Sequence, residues 1–324
     1  MKTRALFPGG PPVSLLGLRL VAPPMAPWPR FGEPCLYEVR RLSEEPTVAM
    51  IRAAAASGIT LFDSDWASGN GHAEEILGRV LRETGVDCLL STKGGPRFDF
   101  AGRLIHDNSR SNLMNQCEDS RQRLGRQQID LYSVQGQDDS VELKLTARGL
   151  NDLVHGGRVR ALGVADFSAL AVEELMRYAP IQVIQAPINL LERSSIQAWH
   201  QLCSRCGLGL IATDPLAKGL LSGTFNGSET FPEIDPQRAG PLFQPPKFER
   251  AARFSASLAD FAQARGLTRE VVALAWVLAL PGVTSVFIEP RNEQELRSWL
   301  AAADLELTES DRHLIVKMLE EQGL

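Results

Sequence analysis

The chain has 324 residues, of which 44% are hydrophobic and 23% charged, with a formal net charge of -5. That is the composition of an ordinary folded globule with a large core. It gives no basic field for nucleic acid, and no apolar run reaches the eighteen or so residues that a membrane-spanning helix needs.

Short β-branched or apolar runs alternate with longer amphipathic stretches almost from end to end. A first strand is predicted near 15–20, with a helix near 47–56. The run ending at Asp63 predicts a second strand, followed by a helix near 73–83, and the run ending at Lys93 a third, followed by a helix near 112–124. Residues 129–134, 159–164, 183–186 and 208–212 predict strands four to seven. Their helices are expected near 143–155, 171–178, 196–206 and, beyond a long loop, 247–265 and 269–279. Residues 283–288 predict the eighth strand, ahead of a helix near 293–301.

Parallel strands need crossover helices, and eight such units close into a barrel. The expected fold is therefore α/β, a single (β/α)8 TIM barrel. Residues 1–324 form one domain with long loops at 97–110 and 219–246. The second loop, rich in Pro and Gly, reads as an active-site lid or as a disordered excursion. Phe225, Phe231, Phe243 and Phe248 around it predict either an exposed apolar patch or a cluster that folds the loop onto the barrel. The first ten residues carry no apolar segment of a secretory signal, so a cytoplasmic location is expected. The five cysteines (Cys35, Cys88, Cys117, Cys203 and Cys206) are scattered and odd in number, which fits reduced thiols. Cys203 and Cys206 form a C-x-x-C after His200, inside a predicted helix and without a second Cys/His pair. No metal is expected there.

In this architecture the loops that follow the strands build the active site. Asp63, Lys93, Gln135 and Asp166 are thus expected to converge on one mouth. A carboxylate and an ammonium on neighbouring strands can pair and shift the pKa of a partner group.

The motifs G-N-G-H-A-E-E-I-L-G at 69–78, S-T-K-G at 91–94, S-R-Q-R-L-G at 120–125, I-D-L-Y at 129–132, Q-A-P-I-N-L-L-E-R at 185–193, P-L-A-K-G-L-L-S-G at 215–223 and A-D-L-E-L-T at 303–308 follow one another in a fixed order. In these the chain resembles the aldo-keto reductase superfamily over nearly its whole length. The resemblance implies a barrel of that type, reducing carbonyls with NADPH through an Asp, Tyr, Lys and His. The Tyr protonates the carbonyl oxygen as hydride arrives, and the His orients the substrate. Asp63 and Lys93 match the first pair. The Tyr position holds Ser68 and the His position holds Gln135. A serine hydroxyl is a far weaker acid than a phenol and is shorter, and losing a positioned general acid costs a factor of ~10²–10⁴. Gln135 still donates a hydrogen bond but does not titrate.

Against the same resemblance the cofactor site is eroded. The Ser-Asn pair that clamps the nicotinamide amide reads Ala165-Asp166, the stacking Tyr reads Thr213, the Pro-Gly after the last strand reads Ile288-Glu289, and the Asn that meets adenine reads Trp299. Gln185, Lys218 and Arg291 match cofactor-binding positions and are expected as vestiges or as ordinary strand-end and surface residues.

Ordinary NADPH-dependent carbonyl reduction is accordingly expected to be lost, and no cofactor is expected. NADP(H) is the cofactor if the family's is retained. The leading expectation is a cofactor-independent acid/base enzyme of isomerase, lyase or cyclase type. Asp63 and Lys93 would act on a small polar or natural-product substrate, and Asp65, Trp66 and Asp166 would line the mouth. Two alternatives stand beside it: a non-catalytic binding or regulatory protein, and an NAD(P)(H)-dependent oxidoreductase whose proton relay runs through Ser68 and Gln135. The expected partner is a small molecule, not nucleic acid or membrane, and a protein partner stays open.

Overall fold

The computed structural model describes residues 1–21, 44–99, 104–231, 237 and 240–324. An antiparallel hairpin comes first, β1 (Thr3–Ala5) and β2 (Pro12–Ser14). The barrel strands follow: β3 (Leu16–Arg19), β4 (Leu61–Asp63), β5 (Leu89–Gly94), then, after a second hairpin β6 (Pro96–Phe98) and β7 (Leu104–His106), β8 (Ile129–Gln135), β9 (Val159–Ala165), β10 (Ile181–Pro187), β11 (Gly209–Thr213) and β12 (Val283–Ile288). The eight pair in that order, all parallel, and β12 returns to β3 through Val286 opposite Leu16. The expected (β/α)8 barrel is what forms.

The strands read as continuous apolar runs because both faces are buried. Leu61, Leu131, Val183, Ile211 and Phe287 pack together inside the barrel with Leu6 and Val13 of the N-terminal hairpin segment. The alternate residues, among them Phe62, Tyr132, Leu162, Ile184, Leu210 and Val286, pack outward into the larger cluster with the helices. Each such buried side chain contributes about 1.5–3 kcal/mol. The hairpin can approach so closely because β11 begins with glycine: a Cβ at Gly209 would lie 1.8 Å from the Leu6 carbonyl oxygen.

The helices are α1 (Glu44–Ala56), α2 (His72–Thr84), α3 (Arg110–Leu124), α4 (Leu143–His155), α5 (Ala169–Leu175), α6 (Ile196–Cys206), α7 (Lys247–Gln263), α8 (Arg269–Leu278), α9 (Glu293–Trp299) and α10 (Glu309–Glu321). The last was not expected from periodicity. Its start is nevertheless written locally, since Thr308 and Asp311 form a reciprocal capping box. The segment 97–110, expected as a plain loop, carries most of the β6–β7 hairpin, and within it the Ser109 side chain caps α3, which begins at Arg110. In the segment 219–246, Phe225, Phe231 and Phe243 meet Phe248 of α7 with ring centroids 5.5–5.9 Å from it. Of the two expectations for these rings, the cluster that binds the loop to the barrel is the one observed.

Among the described residues no helix is long and apolar enough to cross a membrane, and no group of three metal-ligating side chains comes together. In α6, Cys203 is buried and Cys206 exposed. Burial pushes the Cys203 and Cys117 thiols up to about 12 and that of Cys88 to about 11. The thiolate is the reactive form. Of these four thiols, native alkylation near pH 8 is therefore expected to modify Cys206 alone, and the others only after unfolding, as read by peptide mass spectrometry.

Candidate active site

Asp63 ends β4, and the register sets it beside Ser91, two residues before Lys93 on β5. Parallel pairing thus brings the carboxylate and the ammonium together at the C-terminal end of the barrel. The Lys93 Nζ donates to Asp63 Oδ2 and, at 3.2 Å, to the Ser64 carbonyl oxygen, and it lies 5.7 Å from the Phe287 ring centroid. The Lys93 side chain is 1% exposed and that of Asp63 is 0%. Burial pushes the Lys93 ammonium below its usual pKa, while Asp63 pulls it back.

A third charge completes this group, and it was not singled out in the sequence. Arg19 ends β3. Its Nε lies 3.4 Å from Asp63 Oδ2 and its Nη1 3.3 Å from Glu289 Oε1, just beyond β12. Burial alone would lower the Arg19 pKa, but Glu289, Asp63, Asp65 and Asp214 together hold it above the usual guanidinium value. The available signal was a lone arginine ending an apolar strand, at a position that architecture turns toward the mouth.

Two cavities open here. The inner one, about 370 Å³, is lined by Arg19, Gln135, Asp166, Glu192, Thr213, Asp214, Lys218 and Glu289 among others. Gln135 Nε2 donates to Asp166 Oδ2 at 3.1 Å, so these two expected site residues do meet. The outer one, about 610 Å³, runs past Lys218, Leu216, Phe225 and Arg291 to Trp299. Asp214, Lys218 and Glu289 belong to both.

Other expected site residues lie elsewhere. Ser68 is buried, and its backbone N–H and hydroxyl donate to the two oxygens of Asp65 at 2.7 and 2.9 Å. No hydrogen bond joins Ser68 to Lys93 among the described residues. Trp66 turns to α3: its Nε1 donates to Asp119 at 3.0 Å, and the Arg123 guanidinium sits 5.6 Å from its ring. Asp65 and Trp66 line neither cavity, contrary to their expected place at the mouth. The loop after β4 closes on itself through Asp65 and docks on α3, so it does not turn inward. Gln185 lies inside the barrel, where its Nε2 donates to Ser133 at 3.1 Å and Ser91 at 3.4 Å, and its Oε1 is buried without a partner among the described residues.

A sequence profile described as the Aldo/keto reductase family matches residues 32–320. The chain belongs to that family. It is 30% identical over 281 residues to the aldo-keto reductase YhdN of Bacillus subtilis, covering 86% of this chain and 84% of the relative. It is 29% identical over 244 residues to the aldo-keto reductase yakc [NADP(+)] of Schizosaccharomyces pombe, covering 73% and 72%. A solved glycerol dehydrogenase, AKR11B4 from Gluconobacter oxydans, superposes with a TM-score of 0.86 at 28% identity, covering 99% of this chain and 95% of that one. These relatives are named for oxidoreductase activities, and one carries NADP(+) in its name. They lend support to the NADP(H) alternative and none to the expectation of no cofactor.

Whether an aldo/keto reductase cofactor fits can be judged on the mouth itself. The outer cavity is lined by Leu216, Phe225 and Trp299 together with the charged Asp214, Lys218, Glu289, Arg291 and Glu295. The inner cavity does not suit the reactive half of a dinucleotide. Four carboxylates (Asp166, Glu192, Asp214 and Glu289) line it against Arg19 and Lys218. Arg19 is already matched by Asp63 and Glu289. Arg291 is paired with Glu295, which takes its backbone N–H and its Nε at 2.8 Å each, while the Arg291 side chain stays 59% exposed. Among the described residues, the charges that line the inner cavity do not suit the whole family cofactor in a reducing pose.

Proposed function

We propose that this aldo/keto reductase family member binds a nucleotide-type ligand at its barrel mouth without carrying out ordinary NADPH-dependent carbonyl reduction. One observation carries the reading: the groups that would deliver a proton are sealed or engaged. Lys93 is 1% exposed and lines neither cavity. Ser68 is bonded to Asp65, and Gln135 is an amide bonded to Asp166. A carbonyl in the mouth then lacks a positioned acid of the family's kind, a loss of ~10²–10⁴ in rate. The same burial weighs against the cofactor-independent acid/base reading, because a substrate would have to touch Lys93. Neighbours of the outer cavity (Lys218 and the Trp299 ring) support nucleotide binding.

A second reading, an oxidoreductase with an altered relay, is favoured by Asp214. It lines both cavities, and burial pushes its carboxyl above the usual range, against the pull of Arg19 and Lys218. The test is to follow nicotinamide absorbance with NADPH and a panel of small aldehydes, and with NADP(+) and glycerol. No turnover above the protein-free rate is expected. Turnover at roughly 1 s⁻¹ or faster, an ordinary enzymatic rate, that Asp214→Asn abolishes would replace the first reading with the second.

A further inference from the structure

The inner cavity is short of positive charge. Asp166, Glu192, Asp214 and Glu289 line it against Arg19 and Lys218, so carboxylates outnumber cations there by two. Nearby cations do not make up the difference. Arg19 is shared with Asp63, which does not line the cavity, as well as with Glu289. Lys93 is sealed against Asp63 and lines neither cavity. The Asp214 carboxylate takes no hydrogen bond among the described residues, and burial pushes it above its usual range against the pull of Arg19 and Lys218. A second feature points to a ligand independently. Thr213 ends β11, is 6% exposed and lines the same cavity, and its hydroxyl has no hydrogen-bond partner among the described residues. A buried hydroxyl left unpaired is costly, and an occupant of the cavity would satisfy it.

The chemistry of that occupant follows from how the charge is spread. A metal ion needs ligands that converge on one point, and among the described residues no three such groups do. Instead the segments after β9, β10, β11 and β12 contribute one carboxylate each: Asp166, Glu192, Asp214 and Glu289. Carboxylates distributed around a cavity suit a cation whose charges are separated by a flexible link. Val21 and Pro187, also in the wall, give the methylenes of such a link an apolar surface. We propose that the inner cavity binds a short aliphatic diamine, its two ammonium groups paired with carboxylates including Asp214 and one of them donating to the Thr213 hydroxyl. The site needs no nucleotide in the outer cavity, so it stands or falls separately from the reading above.

Binding of putrescine, butylamine and butanediol to the full chain is measured by titration calorimetry. Saturable binding of putrescine is expected, about tenfold or more tighter than that of butylamine, with no binding of the diol. No saturable binding of putrescine, or equal binding of butylamine or the diol, overturns the proposal. Asp214→Asn and Thr213→Val are then titrated. The first keeps the size of the side chain, and asparagine tolerates the left-handed backbone at that position (φ 48°). It is expected to weaken putrescine about tenfold or more, and Thr213→Val severalfold. Should Asp214→Asn fail to fold, Asp166→Asn, at a second left-handed position (φ 58°), makes the same test. Undiminished affinity in a carboxylate variant whose circular dichroism matches the parent overturns the proposal, and undiminished affinity in Thr213→Val overturns the part given to its hydroxyl.

Discussion

Replacing Lys93 by alanine is expected to lower folding stability by about 3–5 kcal/mol, the cost of leaving a buried charge without its partner. Asp63 is fully buried, and its Oδ1 already lacks a hydrogen-bond partner among the described residues. Once the ammonium is gone, its remaining charge contact is Arg19, whose Nε lies 3.4 Å away and makes no hydrogen bond among the described residues. Asp63→Asn should cost less than Lys93→Ala, because a buried lysine whose pKa is already pushed down can shed its proton. The double variant should be less destabilised than the sum of the two, with a coupling of about 0.5–3 kcal/mol. Urea unfolding of the four proteins measures all of this. A loss below about 1 kcal/mol for Lys93→Ala would show that Arg19 suffices to hold Asp63, and the three-residue charge group would then not be a unit. The result also bears on function. A pair kept for proton transfer would lose turnover with its fold intact, whereas a sealed pair loses stability.

Phe248→Ala is expected to cost about 3–5 kcal/mol as well, through a different mechanism. Phe248 is 3% exposed on α7, and Phe225, Phe231 and Phe243 surround it. Truncation removes three ring contacts at once, each worth about 0.5–1.5 kcal/mol beyond area burial. It also leaves a cavity under the loop that cannot fully collapse. At this chain length each kcal/mol shifts the melting temperature by roughly 1–2 °C, so a fall of several degrees should be seen by calorimetry. Phe225 also walls the outer cavity. The variant should therefore weaken nucleotide binding severalfold, whereas a surface substitution such as Lys317→Ala should change neither quantity. An unchanged melting temperature would mean that the loop is held to the barrel without these rings.

Much of the architecture was legible in the chain. The alternation of apolar runs with amphipathic stretches names all eight strands, because each barrel strand is buried on both faces and each helix on one. What escaped was written in shorter signals. The N-terminal hairpin and the β6–β7 hairpin are strands of three residues each, too short for periodicity to mark. The final helix starts at a capping box that stands beyond the last barrel unit.

The site divides along a similar line. That Asp63 and Lys93 come together follows from sequence alone, since both lie at the ends of consecutive parallel strands and register leaves them no other place. That Gln135 and Asp166 share the mouth follows in the same way from β8 and β9. Ser68, Asp65 and Trp66 could not be placed so, because they sit in a loop. There direction depends on which hydrogen bonds close it: Asp65 holds Ser68, and Asp119 with Arg123 draws Trp66 onto α3. Arg19 shows the limit most clearly. Its strand was predicted, yet its role depends on Glu289, 270 positions away in sequence and adjacent only once β12 meets β3. Periodicity and strand order are properties of local sequence, and they determined the barrel and its charged pair. The partners of each mouth side chain depend on closure, which joins the first strand to the last, and only the tertiary structure decided them.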